Sequence, residues 1–207
     1  RMLCSLAKVD MQKVNTGETT EEDLLVLSDA LLTLSDSKMY FDDSGNLSVA
    51  DIRSRCRRQQ TRYGLDLVVI DYLGLLQLGN KRGSLVADIA EATRALKILA
   101  KELQVPIMLL CQLSRGSESR KENGYRPILA DLRDSGAIEQ DADMVLLLYR
   151  KALAMRNRKD DSEYGGAPAE EIEDNTAEVI VAKNRNGPLK TVNLAFQGMF
   201  SRFVNPS

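Results

Sequence analysis

Histidine is absent from all 207 residues, which removes imidazole acid–base chemistry and histidine-bound metals. Cysteine is scarce: Cys4, Cys56 and Cys111 are an odd number, scattered, with no CxxC pair. Neither a disulfide framework nor a zinc site fits that usage, which points to a reducing, intracellular setting, and a cytoplasmic location is expected. No apolar run approaches the roughly 20 residues that a membrane-crossing helix needs, and the first residues do not form a signal peptide. A strong charge of either sign is missing too. Lys+Arg 28 against Asp+Glu 30 leaves a formal net charge of -2, so contact with nucleic acid has to come from local basic patches. The 43% hydrophobic content suffices for one well-packed domain, not two large ones.

What is present begins with LDLVVIDYLGLLQ, residues 65–77. Val68, Val69 and Ile70 form a β-branched apolar run, the pattern of a strand buried on both faces. Asp71 closes it. In open α/β sheets ligands sit beyond the carboxyl ends of the strands, where Asp71 would point. A carboxylate there that holds Mg²⁺ is the Walker B element of nucleotide hydrolases. Taken alone, a capping aspartate is the plainer reading.

Upstream, residues 1–9 (RMLCSLAKV) read as the tail of a helix without a cap before it. A capped amphipathic helix starts at Thr19 or Thr20, and KMYFD (38–42) reads as a short strand. Ser48, with Asp51 three residues on, opens a second helix through a capping box. Arg53, Arg55, Arg57, Arg58 and Arg62 make it basic, and a solvated outer face explains this better than a nucleic-acid stripe. Downstream, residues 84–104 form a long helix with Leu85, Ile89, Ala92, Leu96 and Leu99 on one face. Pro106 opens the buried strand PIMLLCQL, and residues 144–149 (MVLLLY) form another. The charged stretch 150–175 is expected to be a mobile loop. TAEVIVAKN and LKTVNLAF, separated by RNGP, signal a hairpin. This order describes an α/β fold, a mostly parallel sheet flanked by helices with a C-terminal antiparallel β-hairpin.

Three further features carry chemistry. Gln112 ends the PIMLLCQL strand, where a neutral amide can sense a γ-phosphate; taken alone, a surface glutamine after a strand is the plainer reading. In DLRDSGAIEQDAD (131–143), Arg133, Asp134 and Gly136 could present a cation and backbone amides to phosphates. Five carboxylates in thirteen residues argue the other way. Lys183 and Arg185 alternate along a strand and so converge on one side, as a pair serving a transferring phosphoryl group would. A solvated hairpin tip is the competing account.

The ordered set VVIDYLGLLQ, LLCQLSRGSESR, RPILADLRDSGAIEQDADMVLLLYR and AEVIVAKNRNGP, followed by TVNLAFQGMFSRF, closely resembles the DnaB family of replicative DNA helicases. The resemblance runs from residue 1 to the SRFVN near the end. It implies a partial RecA-like (P-loop NTPase) motor domain over residues 1–207, using ATP and Mg²⁺. By the same resemblance Asp71 is the magnesium ligand, and Gln112 senses the nucleotide. Arg133, Asp134 and Gly136 contact single-stranded DNA, and Lys183 and Arg185, with Asn184 between them, reach a neighbouring subunit's nucleotide. Arg1 falls where relatives have a nucleotide-proximal arginine. A homo-hexameric ring is implied, with primase and a helicase loader binding through regions outside these residues.

Departures are also visible. Gly74 stands where the family usually has glutamine, which would loosen the loop after Asp71. No GxxxxGK[ST] phosphate loop occurs, and the family's catalytic glutamate is expected ahead of Arg1. The 207 residues alone are therefore expected to lack ATPase activity. Without a phosphate-loop strand, the sheet should also be interrupted beside Asp71's strand, with exposed strand edges. From another functional class, a recombinase-like or ring-loader module without unwinding activity would share the fold.

Overall fold

A computed structural model gives the fold and describes residues 1–78, 84–114, 125–132, 136–156 and 175–206. The chain forms two compact units. One comprises Arg1–Asp42, Leu148–Ile180 and Lys190–Ser207; the other comprises Asp43–Leu147 and Val181–Leu189.

The second unit carries the parallel strands. Helix α4 (Val49–Tyr63) starts where its sequence says it should: Asp51 N–H donates to Ser48 Oγ at 3.2 Å, and Ser48 N–H donates to Asp51 Oδ2 at 3.0 Å. That reciprocal pair satisfies two orphan donors of the first turn. Strand β1 (Val68–Ile70) pairs in parallel with β2 (Ile107–Leu109), placing Ile70 opposite Leu109. Between them runs α5 (Leu85–Leu103), capped by the Ser84 side chain and ended by Gln104 in the left-handed region. Ile52, Ile70, Leu96, Leu99, Leu103 and Val105 form one buried cluster that joins α4, β1 and α5. On α5 the buried face reads Ile89, Ala92, Thr93, Leu96, Leu99 and Leu103; Leu85 is exposed, because it lies in the first turn ahead of the packed stretch.

The basic face of α4 is turned to its neighbour. Glu102 of α5 accepts from Arg53 at 2.5 Å and from Arg57, and Arg55 donates to Ser44 Oγ at 2.9 Å. The hydrogen bond from Arg53 is the main reason that the Glu102 carboxyl is held below its ordinary range. These partners fit an outer face of an α/β layer.

Strands β3 (Met144–Tyr149), β4 (Thr176–Asn184), β5 (Thr191–Gln197) and β6 (Arg202–Val204) form a second sheet in that order, with β4–β5 and β5–β6 antiparallel. The hairpin is thus present, extended by a third strand. In the first unit α1 (Met2–Ala7) packs on α3 (Glu21–Ser35), which Thr20 and Asp23 cap reciprocally. Helix α2 (Met11–Thr16), which no periodic pattern announces, is capped by Asp10 and ended by Gly17 at φ 75.

Two expectations need correction. Residues 38–42 form no strand: no neighbouring strand pairs with them, and Phe41 is 78% exposed. Strand β1 is not buried on both faces, nor is β2. Val69 and Met108, opposite each other, are both about half exposed, since nothing among the described residues covers that face. The stretch 150–175 opens with a helix, α7 (Lys151–Arg156), and residues 157–174 lie outside the described residues.

Candidate active site

The β1–β2 ladder continues past Asp71. Leu110 N–H donates to Ile70 O at 2.9 Å, and Leu73 N–H donates to Leu110 O at 2.9 Å. Asp71 is held between those bonds at the carboxyl end of β1, exposed, and its carboxylate has no partner among the described residues. Gln112 lies three residues past the end of the adjacent parallel strand β2, and its amide is equally exposed and unpartnered among the described residues. Two exposed polar side chains therefore follow the carboxyl ends of neighbouring parallel strands, where α/β sheets bind ligands. The thiol of Cys111, beside Gln112, is pushed up by burial and stays protonated.

Gly74 does not loosen the loop after Asp71. Residues 73–75 close a 3₁₀ turn with Leu73 buried, and a Cβ at position 74 would come within 2.5 Å of Tyr72 Cε2. Any side chain there has to displace that ring.

Backbone bonds tie Gln112's segment to the acidic motif. Leu113 bridges Leu132, and Ser114 N–H donates to Asp131 O at 2.7 Å. Arg133 and Asp134 lie outside the described residues; Gly136 is the first residue of helix α6 (Gly136–Asp141), with open space around its Cα. The carboxylates that weighed against a phosphate contact are mostly engaged elsewhere. Asp131 is 2% exposed and accepts from Ile128 N–H at 2.8 Å. Asp141 accepts from the buried Thr93 hydroxyl at 2.7 Å, and Asp143 pairs with Lys97. Among the described residues that leaves Glu139, half-buried; Asp134 lies outside them.

Lys183 and Arg185 do converge, and their meeting point is the end of α6. The last carbonyls of a helix lack intrahelical partners and carry its negative pole. Lys183 Nζ donates to Glu139 O, and Arg185 Nη2 donates to Gln140 O. Arg185 N–H also donates to Asp143 O at 2.9 Å, and its Nη1 lies 3.4 Å from Asp143 Oδ1. Capping of this kind is a structural role, and it leaves chemistry to spare. The Arg185 side chain is 47% exposed, and a guanidinium has five N–H donors, of which two are engaged among the described residues. Asn184 points to the other side of the strand, and its Oδ1 accepts from Asn186 N–H at 3.2 Å. Neither Asn186 nor Gly187 takes a positive φ. Gly187 is needed for a different reason: a Cβ there would lie 2.7 Å from Asn184 Nδ2. Arg1 belongs to the first unit, as the exposed residue before α1.

A family model described as "DnaB-like helicase C terminal domain" matches residues 1–205. The chain belongs to the DnaB-like helicase C-terminal domain family. It is 43% identical to the replicative DNA helicase DnaB of Leifsonia xyli subsp. xyli, over 99% of this chain and 42% of that one. It is also 43% identical to the replicative DNA helicase DnaC of Bacillus subtilis, again over 99% of this chain and 42% of the relative. The chain thus spans about two fifths of the length of these curated relatives. Among solved structures it resembles one described as an ATPase domain (TM-score 0.83, 36% identity, 100% of this chain and 69% of that one). A second, described as a DnaB-like replicative helicase in its interactions with primase, gives a TM-score of 0.85 at 35% identity, over 100% of this chain and 46% of that one. The RecA-like fold of the DnaB-like domains is accordingly the fold of this chain.

Among the described residues no group of three or more His, Cys, Asp or Glu could hold a metal ion. An exposed carboxylate such as that of Asp71 suits Mg²⁺ that arrives on a nucleotide, because that ion commonly keeps its waters and takes only one or two protein carboxylates beside substrate phosphates. No helix among the described residues is long and apolar enough to cross a membrane.

Proposed function

We propose that this chain is part of the motor of a cytoplasmic replicative DNA helicase, a homo-hexameric ring that hydrolyses ATP, moves along single-stranded DNA and unwinds duplex at the fork. The observation that carries this reading is that Asp71 and Gln112, exposed and unpartnered among the described residues, follow the carboxyl ends of adjacent parallel strands in a chain of the DnaB-like family.

Asp71 would hold Mg²⁺ on the bound ATP, and the ion would neutralise phosphate charge there. Gln112 would feel the γ-phosphate through its amide. The bridge from Leu113 to Leu132 would carry its displacement towards Arg133, Asp134 and Gly136, which would contact the phosphates of single-stranded DNA. Lys183 and Arg185 would serve the nucleotide of a neighbouring subunit, Arg185 offering its unused N–H donors to the charge that develops on the transferring group. Asn184 would order the turn that follows them, and Arg1 would be a nucleotide-proximal arginine. Primase and a loader would bind through parts of the protein other than these residues.

Strand displacement on a forked duplex by the complete protein tests the proposal. ATP- and magnesium-dependent release of the strand, lost in Asp71→Asn, is expected. Binding of nucleotide and DNA without any strand release would instead favour a recombinase-like or ring-loader module.

A further inference from the structure

Asp143 stands outside the groups assigned above, yet three contacts meet on it. Lys97 Nζ binds its Oδ2; Arg185 Nη1 approaches its Oδ1 at 3.4 Å; and the backbone N–H of Arg185 donates to its carbonyl at 2.9 Å. Both the main chain and the side chain of Arg185 are thus registered against one residue. One turn earlier on α5, the buried Thr93 hydroxyl holds Asp141, the last residue of α6, at 2.7 Å. Residues four apart on a helix share a face. Thr93 and Lys97 therefore grip the end of α6 and Asp143, two residues past it, from a single face of α5. The carbonyls of Glu139 and Gln140, which accept Lys183 and Arg185, lie within the gripped turn.

We infer that Lys97 and Asp143 are positioning residues for Arg185, aiming its guanidinium from α5 by way of a shared carboxylate. The inference rests on the proposed role of Arg185 in hydrolysis and adds the residues that aim it. The side chain of Asp143 is 54% exposed, and exposed ion pairs add little to stability. A contact that matters little to folding can still matter greatly to turnover, because small misplacements of a reacting group cost rate steeply. That contrast separates positioning from structural support.

The test uses the complete protein with Asp143→Asn, Lys97→Met, both together, Lys97→Arg and Arg185→Ala. Each of the first two should lower kcat about 10- to 100-fold, with KM and nucleotide affinity held within about threefold and Tm within about 3 °C. The double variant should be no worse than the larger single one, since both remove the same link. Lys97→Arg should restore most of the rate. Wild-type kcat in the singles, with turnover abolished in Arg185→Ala, would overturn this inference alone. A fall in Tm that tracks the loss of rate would make the link structural and overturn it too. Turnover surviving Arg185→Ala would remove the proposed role of Arg185, and the inference with it.

Discussion

The Asp143 carboxyl is held below the ordinary aspartate range, first by the hydrogen bond from Lys97 and then by the nearby charges of Lys97, Arg185 and Lys101. A carboxylate whose folded pKa is depressed contributes stability above its unfolded pKa and loses it as pH falls through the folded value. Its pairing with Lys97 is therefore intact at neutral pH and survives until the solution is more acidic than the usual aspartate midpoint of about 3.9. An NMR titration of the Asp143 side-chain carbon should give a midpoint below that value; a midpoint at or above it contradicts the pairing. At this scale the convergence of Lys183 and Arg185 was legible, because strand alternation fixes direction. What they converge on was not, since the end of α6 lies some forty positions away in the chain. Nor could spacing separate the acidic groups of residues 131–143. Asp131 turns inward to a backbone N–H, whereas Asp141 and Asp143 turn to α5, and only tertiary partners decide that.

Elements with local start signals were read well. The Ser48–Asp51 box and the Thr20 cap stand where the residues place them, because each closes bonds within four residues. Ser48→Ala should cost about 1 kcal/mol of stability, the usual loss for a cap. Leu99→Ala, which empties the most buried position of the α4–β1–α5 cluster, should cost about 2–5 kcal/mol. Urea unfolding measures both, and equal losses would contradict the packing described here. Where an element depends on a distant partner, the sequence was a poorer guide. Residues 38–42 have strand-forming composition and no strand to pair with. Helix α2 is six residues long, too short for a periodic signal to rise above its surroundings. The apolar run of β1 suggested two covered faces, yet Val69 is 54% exposed.

For the whole molecule, the two units carry different shares of the account. The second unit holds Asp71, Gln112, Gly136, Lys183 and Arg185 together, and the first holds Arg1. The RecA-like fold was legible from the order of strands and helices and from the motifs that resemble the DnaB family. The described strands fall into a parallel pair, β1–β2, and a four-stranded sheet, β3–β4–β5–β6. Pairing registers depend on neighbours that composition does not specify. The central claim is that Asp71 and Arg185 serve the same nucleotide from different copies of the chain. Subunit mixing tests it most directly: the complete protein carrying Asp71→Asn is co-assembled with the complete protein carrying Arg185→Ala, each inactive by itself. If the two groups act across an interface, some interfaces of the mixed ring pair an intact Asp71 with an intact Arg185, and magnesium-dependent ATP hydrolysis returns. Mixed rings that remain as inactive as either parent would contradict the account.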